Sequence, residues 1–168
     1  ILVRDVKIGG NAPVVIQSMT NTKTADVEST VAQILRLEEA GCQVVRLTAP
    51  DMESAQAFGK IKKRVSIPLI ADIHFNPNVA DAAAKITDKI RINPGNFTDS
   101  ARVFKIIEYT DESYSEEIKR LEERFIQLLD ICKEHNTALR IGVNHGSLSD
   151  RIMSRYGDTP EGIAESCM

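Results

Sequence analysis

Arg91 and Asn93 stand two residues apart in the stretch DKIRINPGN, Asp88 to Asn96. Ile90 and Ile92 alternate with them, which is the period of a β-strand. Side chains at i and i+2 share one face of a strand, so the arginine and the asparagine point together, away from the isoleucines. Three other stretches repeat the pattern. Arg46 and Thr48 alternate within QVVRLTAP, Asp72 and His74 within PLIADIHF, and Arg140 and Asn144 lie on one face of ALRIGVNHG. The chemistry available to such a set is anion binding. A guanidinium offers paired N–H donors that match phosphate oxygens. Asn93 and Asn144 add neutral donors, and His74 donates when protonated. Gly95 and Gly146 would let the backbone approach a ligand closely.

Three converging arginines repel one another, and Asp72 can neutralise one of them. A ligand with two or more negative charges, phosphate or diphosphate, relieves the remainder, each charged hydrogen bond contributing about 1.5 to 3 kcal/mol. Each residue also has a plainer reading: Arg91 and Asp72 as a structural salt bridge, His74 bonded to a carboxylate, Asn144 in a turn. Their shared face favours the anion site. No catalytic group is assigned. The chain shows no Ser-His-Asp order, no Walker loop, no GxGxxG and no metal-ligand spacing. Cys132 and His135 lie one helical turn apart, but no nearby residues complete a metal site.

The positioning elements alternate. Val6 to Gly10 and Val14 to Ser18 read as a hairpin around GGNAP. Helices are predicted over about 26–40, 52–65 and 76–86, with strands at 43–50, 68–75 and 88–93. Pro94-Gly95 carries type II turn chemistry. Residues 100–107 read as a helical turn, followed by an acidic loop with Glu108, Asp111 and Glu112. Ile118, Leu121, Phe125, Leu128, Leu129 and Cys132 form the apolar face of a helix from Ser115 to His135. A strand at 138–146, a helix opened by a Ser147–Asp150 capping box, and a helix from Thr159-Pro160 complete the chain.

Such β-α alternation predicts a parallel sheet, either open and doubly wound or part of an eight-fold barrel. Strands covered by helices on both sides carry two apolar faces. Here consecutive strands keep one polar face near their carboxyl ends, which is the pattern of a barrel interior. The expected fold is therefore α/β, an incomplete (β/α)8 TIM-type barrel of about five strand-helix units, since a whole one needs about 250 residues.

The 168 residues are 42% hydrophobic and 27% charged, with net charge -3. This is the composition of a globular domain with no global basic field for nucleic acid. No apolar run reaches the roughly 20 residues of a membrane span. Cys42, Cys132 and Cys167 are odd in number and widely spaced, which suits free thiols in a reducing, cytoplasmic compartment. The first residues resemble no signal peptide and lack an initiator Met, and the last pattern stops within a helix. The chain is expected to be part of a longer one.

VVIQSMTNT, VVRLTAPD, PLIADIHF, DKIRINPGN and LRIGVNHGSL, in that order, resemble the 4-hydroxy-3-methylbut-2-enyl diphosphate synthase (GcpE) family. The resemblance covers essentially the whole chain. It implies a TIM barrel that holds a diphosphate, and conversion of 2-C-methyl-D-erythritol 2,4-cyclodiphosphate to 4-hydroxy-3-methylbut-2-enyl diphosphate in non-mevalonate isoprenoid synthesis. The family's diphosphate contacts fall on Arg46, His74, Arg91, Asn93, Arg140 and Asn144. It further implies a four-iron four-sulfur cluster on a separate C-terminal domain, a homodimer, and flavodoxin or ferredoxin as electron donor. Two departures stand out. The cluster-ligating cysteine motif is missing, so residues 1–168 are expected to be the N-terminal part of the barrel domain, with no cluster and no turnover alone. The segment from 97 to about 117 is longer than in many bacterial relatives and resembles Bacteroidetes-like and plant forms. Two other readings remain open: a dihydropteroate-synthase-like or sugar-phosphate barrel without a cluster, and a non-catalytic diphosphate-binding or assembly unit.

Overall fold

A computed structural model describes residues 1–98 and 109–168. The chain opens with a small antiparallel hairpin, β1 (Leu2–Val3) and β2 (Val6–Lys7). Then follow β3 (Gln17–Met19), α1 (Val27–Glu39), β4 (Val44–Ala49), α2 (Met52–Lys62), β5 (Leu69–Ile73), α3 (Pro77–Ala84), β6 (Lys89–Ile92), α4 (Pro94–Phe97), α5 (Asp111–Glu134), β7 (Ala138–Ile141), α6 (Asp150–Tyr156) and α7 (Pro160–Cys167). A 3-10 turn at His145–Ser147 follows β7.

Strands β3 to β7 form one parallel sheet in sequential order. That order decides between the two architectures. Right-handed crossovers between consecutive neighbours place every helix on the same side of the sheet. A doubly wound sheet instead reverses its strand order to cover both faces. The helix-covered face carries the core: Leu47, Leu69, Ile90 and Ile92 pack with Ile34, Phe58, Ile61 and Leu128 from the helices. The opposite face is the polar one. Among the described residues the sheet is open, with β3 and β7 at its edges. No described helix is long and apolar enough to cross a membrane.

Local chemistry fixes the helix starts. Asp26 and Asp51 cap α1 and α2 by accepting from the Ser29 and Ser54 amides at 3.1 and 2.8 Å. Asn76 caps α3, whose first residue is Pro77, a position where the missing N–H does no harm.

Several boundaries differ from the sequence reading. The hairpin lies at 2–7 rather than around GGNAP, because Arg4 takes a left-handed conformation (φ 55°) and Ile8 N donates to Ile1 O at 2.8 Å. The stretch 14–18 contributes instead to β3, which joins the parallel sheet beside β4. Pro94-Gly95 does not make a type II turn. Asn93 caps the single turn α4 by accepting from Gly95 N at 3.1 Å, and Pro94 is its first residue. Asp111 and Glu112 are not loop residues but the first turn of α5, where carboxylates suit the helix dipole and Thr110 caps the Ser113 amide. Ser149, not Ser147, caps α6. The helical turn expected at 100–107, and Glu108, fall outside the described residues.

One buried carboxylate braces the lower sheet. Asp88, 7% exposed, accepts from Leu69 N and from Lys62 Nζ, each at 2.9 Å. Its carbonyl also accepts from Ala138 N, so β5, β6 and β7 meet at this residue. Asp88→Ala leaves the buried Leu69 amide unpaired and removes the carboxylate partner of Lys62, which keeps only the Ile86 carbonyl, and is expected to destabilise the fold by about 2 to 4 kcal/mol. Urea unfolding measures this; an unchanged midpoint would contradict the brace.

Candidate functional site

The register brings the predicted residues into rows across the polar face. Thr48 is opposite Asp72, Asp72 opposite Arg91, and Arg91 opposite Arg140. One row lower, Met19, Arg46, Ile70, Lys89 and Ala138 follow one another. Asp72, 4% exposed, is the hub. Its carboxylate takes Arg91 at 3.0 Å, Arg46 at 3.6 Å and His74 Nε2 at 3.9 Å. Only the first is a close contact. Arg91 also donates to the Gly142 carbonyl at 2.7 Å, which fixes its plane.

The other guanidiniums are poorly served. Arg46 donates from Nε and Nη2 to the Met19 sulfur at 3.4 and 3.2 Å, and a thioether is a weak acceptor. Arg140 is exposed and, among the described residues, has no ion pair or hydrogen bond. The charged residues that the strands place on this face are Arg46, Lys89, Arg91 and Arg140 against Asp72. The surplus is positive.

Asn93 and Asn144 are joined through a residue that the sequence reading used only as a cap. The Asn93 amide donates to Ser147 Oγ. Ser147 Oγ in turn donates to Asn144 Oδ1 at 2.7 Å. Asn93 is therefore a buried brace, whereas Asn144 is exposed and keeps its amide donor. Close approach matters at Gly95, as expected, though toward the Ser147 backbone rather than a ligand, and at Gly142, which the sequence reading did not single out. A Cβ on Gly95 would lie 1.9 Å from the Ser147 carbonyl oxygen, and one on Gly142 would lie 2.1 Å from Arg91 Nε. Gly146 has no such restriction, its nearest neighbour being 3.8 Å away.

Lys89 was also missed, although its signal was present: it is two residues before Arg91 and so shares its face. It is 7% exposed. Burial, and secondarily the charge of Arg140, hold its ammonium below the ordinary lysine range.

The thiols do not assemble. No described group of three or more His, Cys, Asp or Glu side chains could hold a metal ion. Cys42 is buried and donates to the Val44 carbonyl at 3.0 Å. Cys132 lies in the core, and Cys167 is exposed. The described residues therefore do not fit an iron-sulfur cluster.

All 168 residues match the profile of the GcpE TIM-barrel domain. The chain belongs to this family. The open five-stranded sheet with a polar inner face is thus an incomplete TIM barrel of the GcpE type. Similar proteins include the 4-hydroxy-3-methylbut-2-en-1-yl diphosphate synthase (flavodoxin) of Bacteroides thetaiotaomicron, 56% identical over 97% of this chain and 27% of that protein. The proteins of the same name from Parabacteroides distasonis and Leptospira interrogans are 56% and 51% identical, over 98% and 99% of this chain and 28% and 26% of their own lengths. The chain spans about a quarter of the length of the curated relatives it matches.

Burial, with a smaller contribution from Asp81, pushes the Cys132 thiol up to about 11. Folding thus favours the protonated thiol, a contribution present below the unfolded thiol's value near 9.0 and lost as pH rises toward 11. At pH 8 a thiol reagent should label Cys167 in the folded protein and spare Cys132 until denaturant is added. Equal labelling rates would contradict this placement.

Proposed function

We propose that this segment is the diphosphate-holding part of a 4-hydroxy-3-methylbut-2-en-1-yl diphosphate synthase. The observation that carries the reading is the unmatched positive charge on the polar face of β4, β6 and β7, with one strand carboxylate among several cations. The family membership supports 2-C-methyl-D-erythritol 2,4-cyclodiphosphate as the ligand proposed for the whole protein.

Each residue then has a task. Arg91, oriented by Asp72 and the Gly142 carbonyl, presents its remaining donors to a phosphate. Arg46 exchanges a thioether acceptor for a phosphate oxygen. Arg140 supplies a guanidinium from the neighbouring strand β7. His74 donates from the end of β5. Asn144 offers its amide nitrogen, held in place by Ser147 and Asn93. Together they anchor and orient the ring and offset its charge, which is the protein's share of catalysis when a cofactor carries the redox chemistry. The four-iron four-sulfur cluster belongs on this reading to the part of the protein outside residues 1–168. Flavodoxin is the proposed electron donor, after the relatives' names. The three free thiols suit a cytoplasmic setting.

Calorimetry of the full-length protein with the cyclodiphosphate, without electron donor, tests the reading. Arg91→Ala and Arg140→Ala are each expected to weaken binding by about ten- to hundredfold, the loss of one or more charged hydrogen bonds. Equal affinity of wild type and both variants would remove the anion site.

A further inference from the structure

Lys89 leaves a charge that the proposed contacts do not account for. It opens β6 on the same face as Arg91, one row or about 6.6 Å deeper in the sheet. Its cross-strand neighbours are Ile70 and Ala138, neither of which carries a charge. Among the described residues its ammonium has no ion pair or hydrogen bond. The adjacent Asp88 is already engaged by Lys62 and the Leu69 amide. The side-chain charge that acts on Lys89 is that of Arg140, a like charge from the row above. A buried ammonium beside a guanidinium is unfavourable until an anion comes near. Arg46, Lys89, Arg91 and Arg140 together exceed Asp72 by three charges, four less one.

The proposed reaction changes the ligand's charge. The cyclic diphosphate is a dianion. Two electrons and one proton enter, the carbon–oxygen bond to the ring phosphate breaks, and the neighbouring hydroxyl leaves as water while a carbon–carbon double bond forms. The freed phosphate oxygen makes the linear product a trianion. Resting on the diphosphate reading above, we propose that Lys89 is a charge-selective residue, favouring the ring-opened trianion over the cyclic dianion. It acts together with Arg140, level with Arg46 and one row below Arg91 and Arg140. An interaction stronger after ring opening than before it lowers the barrier to ring opening to the extent that the charge has already developed.

The alternative partner is a carboxylate from the rest of the barrel, and it gives a different result. Calorimetry at pH 8 on the full-length protein, without electron donor, compares the cyclodiphosphate with the linear allylic diphosphate. Lys89→Gln is expected to weaken the linear ligand about tenfold or more beyond its effect on the cyclic one. Lys89→Arg is expected to keep the wild-type ratio. Equal losses for both ligands, with or without a fall in Tm, or no loss, would overturn the proposal; equal losses with a lowered Tm mark the carboxylate. A wild-type measurement stands independently of any variant's folding. The Lys89 Nζ resonance should shift more with the linear than with the cyclic ligand, and identical shifts would overturn selectivity. If neither ligand binds wild type while the protein is folded, the diphosphate reading itself fails.

Discussion

Asp72 is one buried carboxylate in a field of cations, and the polar face of this sheet is arranged around that imbalance. It holds Arg91 closely, Arg46 loosely and His74 at a distance. Burying a charge is costly without a partner, so Asp72 is fully committed, and its pairing with Arg91 fixes a guanidinium plane at the mouth. Among the described residues the remaining positive charge has no counterpart on this face. Arg46 makes do with a sulfur, Arg140 faces solvent, and Lys89 is buried in the row below Arg140. An anionic ligand is the physical complement of such an arrangement.

The fold makes the imbalance possible. Sequential parallel strands with all helices on one side leave the other face free of the apolar demand that a helix layer imposes. Leu47, Ile90 and Ile92 satisfy the helix side, while Arg46, Asp72, Arg91 and Arg140 occupy the inner side without weakening the core. Asp88 ties the strands together low in the sheet, and the Asn93–Ser147–Asn144 chain ties the loops together at its upper end. Between these two braces the cationic rows keep their register. Gly95 and Gly142 are glycines because backbone and guanidinium pass where a side chain would stand.

Much of this was legible in the chain itself. Period-two alternation alone places Arg46, Asp72, Arg91 and Arg140 each on the polar face of its strand, because strand geometry fixes side-chain direction. The barrel-type architecture followed from the same polar faces. What escaped was short-range and competitive. Pro94 suits both a turn and a helix's first position, and the Asn93 cap selected the helix. Ser147 and Ser149 both suit a cap, and backbone geometry selected Ser149 while Ser147 went to Asn144. Asp111 and Glu112 looked like loop because their helical role is electrostatic rather than apolar. Lys89 was overlooked since a strand's first lysine ordinarily reaches solvent, and its burial depends on Ile70 and Ala138 from neighbouring strands.

The central claim is that the inner face binds a polyanion through charge. Its most direct measurement is calorimetry of inorganic pyrophosphate with the full-length wild-type protein across a salt series, followed by competition with the cyclodiphosphate. Pyrophosphate should bind, weaken progressively as salt rises, and be displaced by the cyclic ligand. Absence of binding, or binding that neither responds to salt nor competes, would contradict it.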